Sequence, residues 1–166
     1  MPESVPPITL HASCVALGDR GVLILGSSGA GKSDLILNLI DQPGYGTGDE
    51  LIRVRMVSDD QTVIERRGDA LFASSPQSIA GLLEIRGQGI VAVDHVPEAR
   101  LRLVVRLIPA VEIERLPATT HIHRIAGVAL PEIAIDPSRP TAGARIRAAL
   151  TAVPHDELRQ IRRGGA

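Results

Sequence analysis

Residues Gly26-Ser27-Ser28-Gly29-Ala30-Gly31-Lys32-Ser33 match the pattern G-x-x-x-x-G-K-[ST] at every fixed position. The chemistry this spacing serves is the cradling of ATP or GTP phosphates. The glycines let loop amides close on phosphate oxygens, Lys32 would reach the β- and γ-phosphates, and the Ser33 hydroxyl would ligate Mg2+. A glycine-rich turn could match by chance, but the context argues otherwise. The apolar run Gly21-Val22-Leu23-Ile24-Leu25 precedes the loop as a strand, and Asp34-Leu35-Ile36-Leu37-Asn38-Leu39-Ile40 follows it as a mostly apolar helix.

Other residues could share that chemistry. Asp59 and Asp60 follow a predicted strand, where a nucleotide enzyme needs a carboxylate to hold metal or to accept a proton from an attacking hydroxyl. The sequence does not divide those roles between them. In Glu84-Ile85-Arg86-Gly87-Gln88-Gly89-Ile90, two glycines beside a Glu and an Arg could form a bend where a carboxylate meets metal and a guanidinium meets phosphate. Taken alone, an ordinary surface turn explains that segment better. His11 lies among apolar residues next to the predicted loop strand. His121 and His123 alternate on another strand without a nearby third metal ligand, which favours surface side chains. Arg139 sits on a loop able to cap a phosphate, although exposure is the default for such an arginine.

The elements that must position these residues read as follows. Residues 8–17 form a strand and 18–21 a turn, a hairpin feeding the loop strand. After the helix and the flexible segment 42–49 come a strand over 51–57 and a hairpin with arms 62–65 and 71–73. Further strands are expected at 101–107 and 121–128, and a helix at 142–152. The tail 159–166, with Arg162 and Arg163, reads as frayed and solvated. Strands outnumber helices, which is unusual for a simple doubly wound nucleotide domain.

Composition excludes several classes. Eighteen basic against nineteen acidic residues give a net charge of -1, so no basic field points to nucleic acid. Phe72 and Tyr45 are the only aromatics, which leaves no stacking platform for bases. Cys14 is the single cysteine, excluding an internal disulfide and suiting a reducing cytoplasm, and no apolar run approaches membrane-spanning length. The length of 166 residues fits one domain with a real core.

Taken together, His11, the loop 26–33, the Asp59-Asp60 pair and Glu84-Ile85-Arg86-Gly87-x-Gly89-Ile90 resemble the catalytic domain of the HPr kinase/phosphorylase family. The last of these is close to that family's own signature. The resemblance spans about residues 8–150 and implies one catalytic domain over 1–166, of the short form without a preceding regulatory domain. It implies an α/β fold, a P-loop nucleotide-binding domain whose strand-rich core resembles phosphoenolpyruvate carboxykinase. It also implies ATP and Mg2+ as cofactors and, as partner, a serine of the phosphocarrier HPr in bacterial sugar or nitrogen phosphotransfer. By the same resemblance Asp59 would deprotonate the acceptor serine, His11 would hydrogen-bond and position it, Asp60 and Glu84 would join Ser33 in organising metal, and Arg86 would stabilise the site. A hexamer is implied as well. Two departures stand out. The segment 42–49 is longer and richer in glycine than the family pattern, and the late loop Pro-x-Arg-Pro-Gly-Arg-Asn is matched only by Ser138-Arg139-Pro140 and Gly143-Ala144-Arg145. The second departure predicts weak phosphorolysis. A small-molecule kinase, with Arg66 and Arg67 as candidate lid, and a nucleotide-dependent regulatory ATPase are the other classes the loop allows.

Overall fold

The computed structural model describes residues 5–152. Its central strand is β9 (Glu98–Leu107), which runs parallel to β3 (Arg20–Leu25) along one edge. Along its other edge β9 pairs first with β6 (Ala70–Ser74), antiparallel, and then with β11 (Val128–Ile135), parallel. Serving two neighbours in turn is why β9 is ten residues long. β2 (Ser13–Leu17) forms a hairpin with β3 and also pairs with β4 (Val54–Ser58), while β1 (Ile8–Leu10) pairs with β5 (Thr62–Arg67). With the β5–β6 hairpin and with β10 (His121–Ile125) on β11, these strands make one nine-stranded sheet. A separate two-stranded ribbon joins β7 (Leu82–Ile85) to β8 (Gly89–Ala92).

Both faces of the central strands are covered, and the sequence of β2 shows it. All five of its residues are buried: Val15 and Leu17 belong to one core, Cys14 and Ala16 to the other. A continuous apolar run is what a strand covered on both faces requires. The first core takes the buried stripe Leu35, Ile36 and Leu39 of α1 (Lys32–Asp41) and Ile146 of α2 (Ala142–Thr151). Asp34, Asn38 and Asp41 stay exposed on the other face of α1. Each fully buried Leu or Ile contributes roughly 1.5–3 kcal/mol of transfer free energy. On the second core, burial pushes the Cys14 thiol far above its usual range, which leaves it inert.

Several expected elements were placed correctly with shifted limits. The strand expected over 8–17 is two strands, because the chain leaves its partner β5 at Leu10 and takes up β3 from Ser13 and β4 from Cys14, breaking at His11 and Ala12. The strand expected over 51–57 begins at Val54, with Ile52 making only an isolated bridge to Gly44. The strand expected over 121–128 stops at Ile125, since Ala126 and Gly127 both have positive φ (47° and 80°) and turn the chain back into β11. That two-residue geometry matches the twist of a hairpin, and an alanine there gave no sequence signal. The β5–β6 hairpin and the second helix stand close to where they were expected, and the tail 159–166 lies outside the described residues. No helix among the described residues is long and apolar enough to cross a membrane.

Candidate functional site

The glycine-rich loop joins the end of β3 to α1, and its local chemistry is set by where side chains are absent. A Cβ on Gly26 would stand 3.0 Å from Ala30 Cβ and 3.3 Å from Leu107 Cβ, so the first loop residue has no room for a side chain. Gly31 caps α1 with φ 101°, a left-handed conformation that favours glycine, and no side chain caps the helix. The first amides of α1 therefore remain available to an anion. Within the loop, the Ala30 N–H donates to Ser27 C=O at 3.0 Å.

Ser28, Gly29, Gly31, Lys32, Ser33 and Asp34 from the loop and the start of α1 line an open cleft of about 230 Å³ together with Asp60, Glu84 and Arg86. Lys32 is nearly buried. Its ammonium donates to the carbonyls of Gly26 (2.7 Å) and Ser27 (3.2 Å) and lies 3.8 Å from Asp60 Oδ1. Asp59, also buried, is the hub of the site. The Ser33 hydroxyl lies 3.0 Å and 3.1 Å from its two carboxylate oxygens, the Ser13 hydroxyl donates to Oδ1 at 3.1 Å, and the Glu84 N–H approaches Oδ2 at 3.5 Å. One carboxylate thus gathers β2, α1 and β7 at the end of β4.

Asp60 takes the opposite course. It adopts φ 62°, a left-handed conformation uncommon for a side-chain-bearing residue, and its N–H donates to Ser13 Oγ at 3.1 Å. The turn is closed by the Gln61 N–H on Asp59 C=O at 2.7 Å. This conformation sends two adjacent carboxylates different ways, one buried against Ser33 and one exposed beside Lys32. Backbone strain of this kind concentrates at functional sites.

The expected residues are brought together in part. Lys32, Ser33, Asp60, Glu84 and Arg86 share the cleft, and the buried Asp59 is hydrogen-bonded to Ser33. Glu84 and Arg86 reach it because the segment expected to bend is the tight turn of the β7–β8 ribbon. His11 is exposed at the break between β1 and β2, and the hydrogen bond to Asp59 Oδ1 comes from Ser13, two residues on. Arg139 does not line the cleft. It is exposed with Nε 3.8 Å from Asp136 Oδ2, and Arg145 is likewise exposed, bound to the Thr141 hydroxyl. Arg66 donates to the carbonyls of Gly68 and Ala126, a role within the sheet rather than a lid. His121 and His123 face different carboxylates, Glu114 at 3.7 Å and Glu132 at 2.8 Å. Sequence reasoning missed Ser13. The signal was a lone hydroxyl inside the apolar run Ala12-Ser13-Cys14-Val15, since a buried polar side chain must find a partner.

No group of three or more His, Cys, Asp or Glu side chains among the described residues could hold a metal ion by itself. Mg2+ rarely uses such a cage. It takes one or two carboxylates and completes its shell with substrate phosphates and water, and the Asp60 and Glu84 carboxylates with the Ser33 hydroxyl around one cleft fit that donor set.

These features define a strand-rich, mixed α/β domain built around a strand–glycine loop–helix unit with a carboxylate pair facing the loop. The sequence model of the HPr Serine kinase C-terminal domain matches residues 4–153, and the chain belongs to that family. It is 32% identical over 148 residues to the HPr kinase/phosphorylase of Caldicellulosiruptor bescii, covering 83% of this chain and 44% of that protein. To the HPr kinase/phosphorylase of Prosthecochloris aestuarii it is 33% identical over 142 residues, covering 78% of this chain and 39% of the relative. The chain therefore spans less than half the length of these curated relatives. Among solved structures, the Hpr(Ser) kinase/phosphatase from Coxiella burnetii shares the fold with a TM-score of 0.70 and 23% identity, covering 95% of this chain and 99% of that one.

Proposed function

We propose that this chain is an ATP-dependent protein serine kinase that phosphorylates a serine of an HPr-type phosphocarrier. The observation that carries the reading is the buried Asp59 carboxylate held on the hydroxyl of Ser33, a residue that lines one cleft together with Lys32, Glu84 and Arg86. In this reading loop 26–33 is a P-loop on a core like that of phosphoenolpyruvate carboxykinase, acting in the cytoplasm as one domain within a homo-oligomer, a hexamer by family resemblance. Family membership and the curated relatives' names support the acceptor; the cleft supports the chemistry.

The loop amides and Lys32 would bind the β- and γ-phosphates, Lys32 exchanging its bonds to Gly26 and Ser27 for phosphate oxygens. Ser33, Asp60 and Glu84 would hold Mg2+, which supplies charge neutralisation at the phosphates. The acceptor serine oxygen attacks the γ-phosphorus, its proton passes to Asp59, and the bond to the departing ADP oxygen breaks. Arg86 would face charge developing on the transferred group. A second reading of the acidic pair rests on the Ser33–Asp59 contact, which would make Asp59 the metal-organising carboxylate instead.

Labelled ATP, offered with HPr or with a metabolite pool, tests the reading. Transfer to HPr that is lost in Lys32→Ala supports it; turnover by that variant, or transfer to a small molecule alone, refutes it. As a proton acceptor, Asp59 replaced by Asn leaves Mg·ADP affinity intact while transfer falls at least about a hundredfold. A raised Mg2+ requirement in that variant would favour the second reading. Because Arg139 and Arg145 engage Asp136 and Thr141 and neither lines the cleft, the reverse attack of phosphate on phosphoserine is expected to be weak.

A further inference from the structure

Three stretches of chain emerge together where the parallel strands β3, β9 and β11 end: loop 26–33, the segment after Leu107, and the turn 136–139. One carboxylate ties the last two. Asp136 Oδ1 accepts the Ser138 N–H (2.9 Å) and hydroxyl (2.6 Å), Oδ2 accepts the Ala110 N–H (2.9 Å), and Arg139 Nε lies 3.8 Å from Oδ2. The turn closes with the Arg139 N–H on Asp136 C=O (3.2 Å), and the Ala142 N–H on Arg139 C=O (3.0 Å) leads it into α2.

Between these bonds sits Pro137, against the phosphate loop. A Cβ on Gly31 would lie 3.3 Å from Pro137 Cγ and 3.4 Å from its Cβ. Proline has no N–H with which to anchor itself, and it biases the preceding residue toward extended backbone. Its placement therefore depends on the side chain before it bending the chain back. That side chain is Asp136, and the Ser138 hydroxyl and N–H, then Ala110 and Arg139, hold its carboxyl below the usual carboxylate range.

We propose that Asp136 is a positioning residue for the phosphate loop: by locking turn 136–139 it keeps Pro137 as a fixed wall behind Gly31, so that the uncapped first amides of α1 stay aimed into the cleft. The ligand side of this inference rests on the proposed nucleotide function; the mechanical side does not.

The test compares Asp136→Ala and Asp136→Asn with the parent chain by hydrogen exchange of residues 26–36 without ligand, by Mg·ADP calorimetry, and by kcat and KM for ATP. Losing charge-assisted bonds should speed loop exchange and weaken Mg·ADP binding, each on the order of tenfold, and raise KM while kcat stays within about threefold. Asparagine, which keeps an oxygen for the Ser138 N–H, should recover most of the difference. A folded Asp136→Ala variant with parental exchange and affinity would overturn the proposal, as would a lower melting temperature with unchanged KM. If Asp136→Ala does not fold, Ser138→Ala replaces it, with loop exchange faster by about threefold expected and no change refuting the idea. Should the parent chain bind no Mg·ADP, the nucleotide reading fails while the exchange result still decides the role of Asp136.

Discussion

Ser13→Ala is the substitution whose consequences the structure defines best. The Ser13 side chain is fully buried and its single oxygen makes two bonds, donating to Asp59 Oδ1 and accepting the Asp60 N–H, both at 3.1 Å. The first is a buried bond to a carboxylate, worth about 1.5–3 kcal/mol; the second is an ordinary bond near the surface, worth about 0.5–1.5 kcal/mol. The second also steadies Asp60 in its left-handed conformation, which alone costs about 1–2 kcal/mol. Ser33 remains on Asp59 in the variant and offsets part of the loss. A net destabilisation of about 2–3 kcal/mol follows, which for a chain of this size lowers the melting temperature by roughly 4–12 °C. Urea unfolding should show the midpoint falling with the m-value unchanged, and the cycle Ser13→Ala, Asp59→Ala and the double variant should return a coupling of about 1–2 kcal/mol. Transfer should fall as well, because Asp59 loses one of its two hydroxyl donors. A melting temperature within about 1 °C of the parent, or additive single effects, would refute the argument that Ser13 organises the pair.

Two further outcomes follow from side chains away from the cleft. The buried Arg147 guanidinium, its pKa lowered by desolvation, donates to the carbonyls of Leu39 (3.3 Å), Gln42 (2.7 Å) and Ile52 (3.3 Å), capping the C-terminal end of α1; Arg147→Met should destabilise by about 2–4 kcal/mol in urea titration, and no loss would show these carbonyls to be satisfied by water. Arg67 bonds to Glu65 and Glu98, lowering both carboxyls from their ordinary value of 4.5, so the stabilisation is fully present above that pH and is lost as pH falls through the depressed folded values. Stability measured from pH 6 downward should therefore decline below about 4.5, and Arg67→Ala should flatten that limb; an unchanged limb would place the acid sensitivity elsewhere.

The sequence by itself determined the parts of this protein whose physics is local. Loop 26–33 needs glycines where backbone packs tightly or φ is positive, a strand before it and an apolar-striped helix after it, and all of these are written in adjacent residues. The β5–β6 hairpin and α2 were legible for the same reason, as were the Asp59-Asp60 pair and the Glu84–Arg86 bend as sites of interest. What only the tertiary structure decided are relations between distant residues. Residues 8–17 look like one strand, yet pairing partners outside that segment break it at His11 and Ala12, which leaves His11 exposed and hands Ser13 the hydrogen bond to Asp59. The division between the two aspartates could not be read from their sequence, since it comes from the left-handed turn at Asp60 and from a serine forty-seven positions earlier. Arg139 likewise carries no mark of where it points; Asp136, Ala110 and the packing of Pro137 on Gly31 settle that. Local periodicity reports which face of an element is buried, but which element lies across from it is a property of the whole chain's packing.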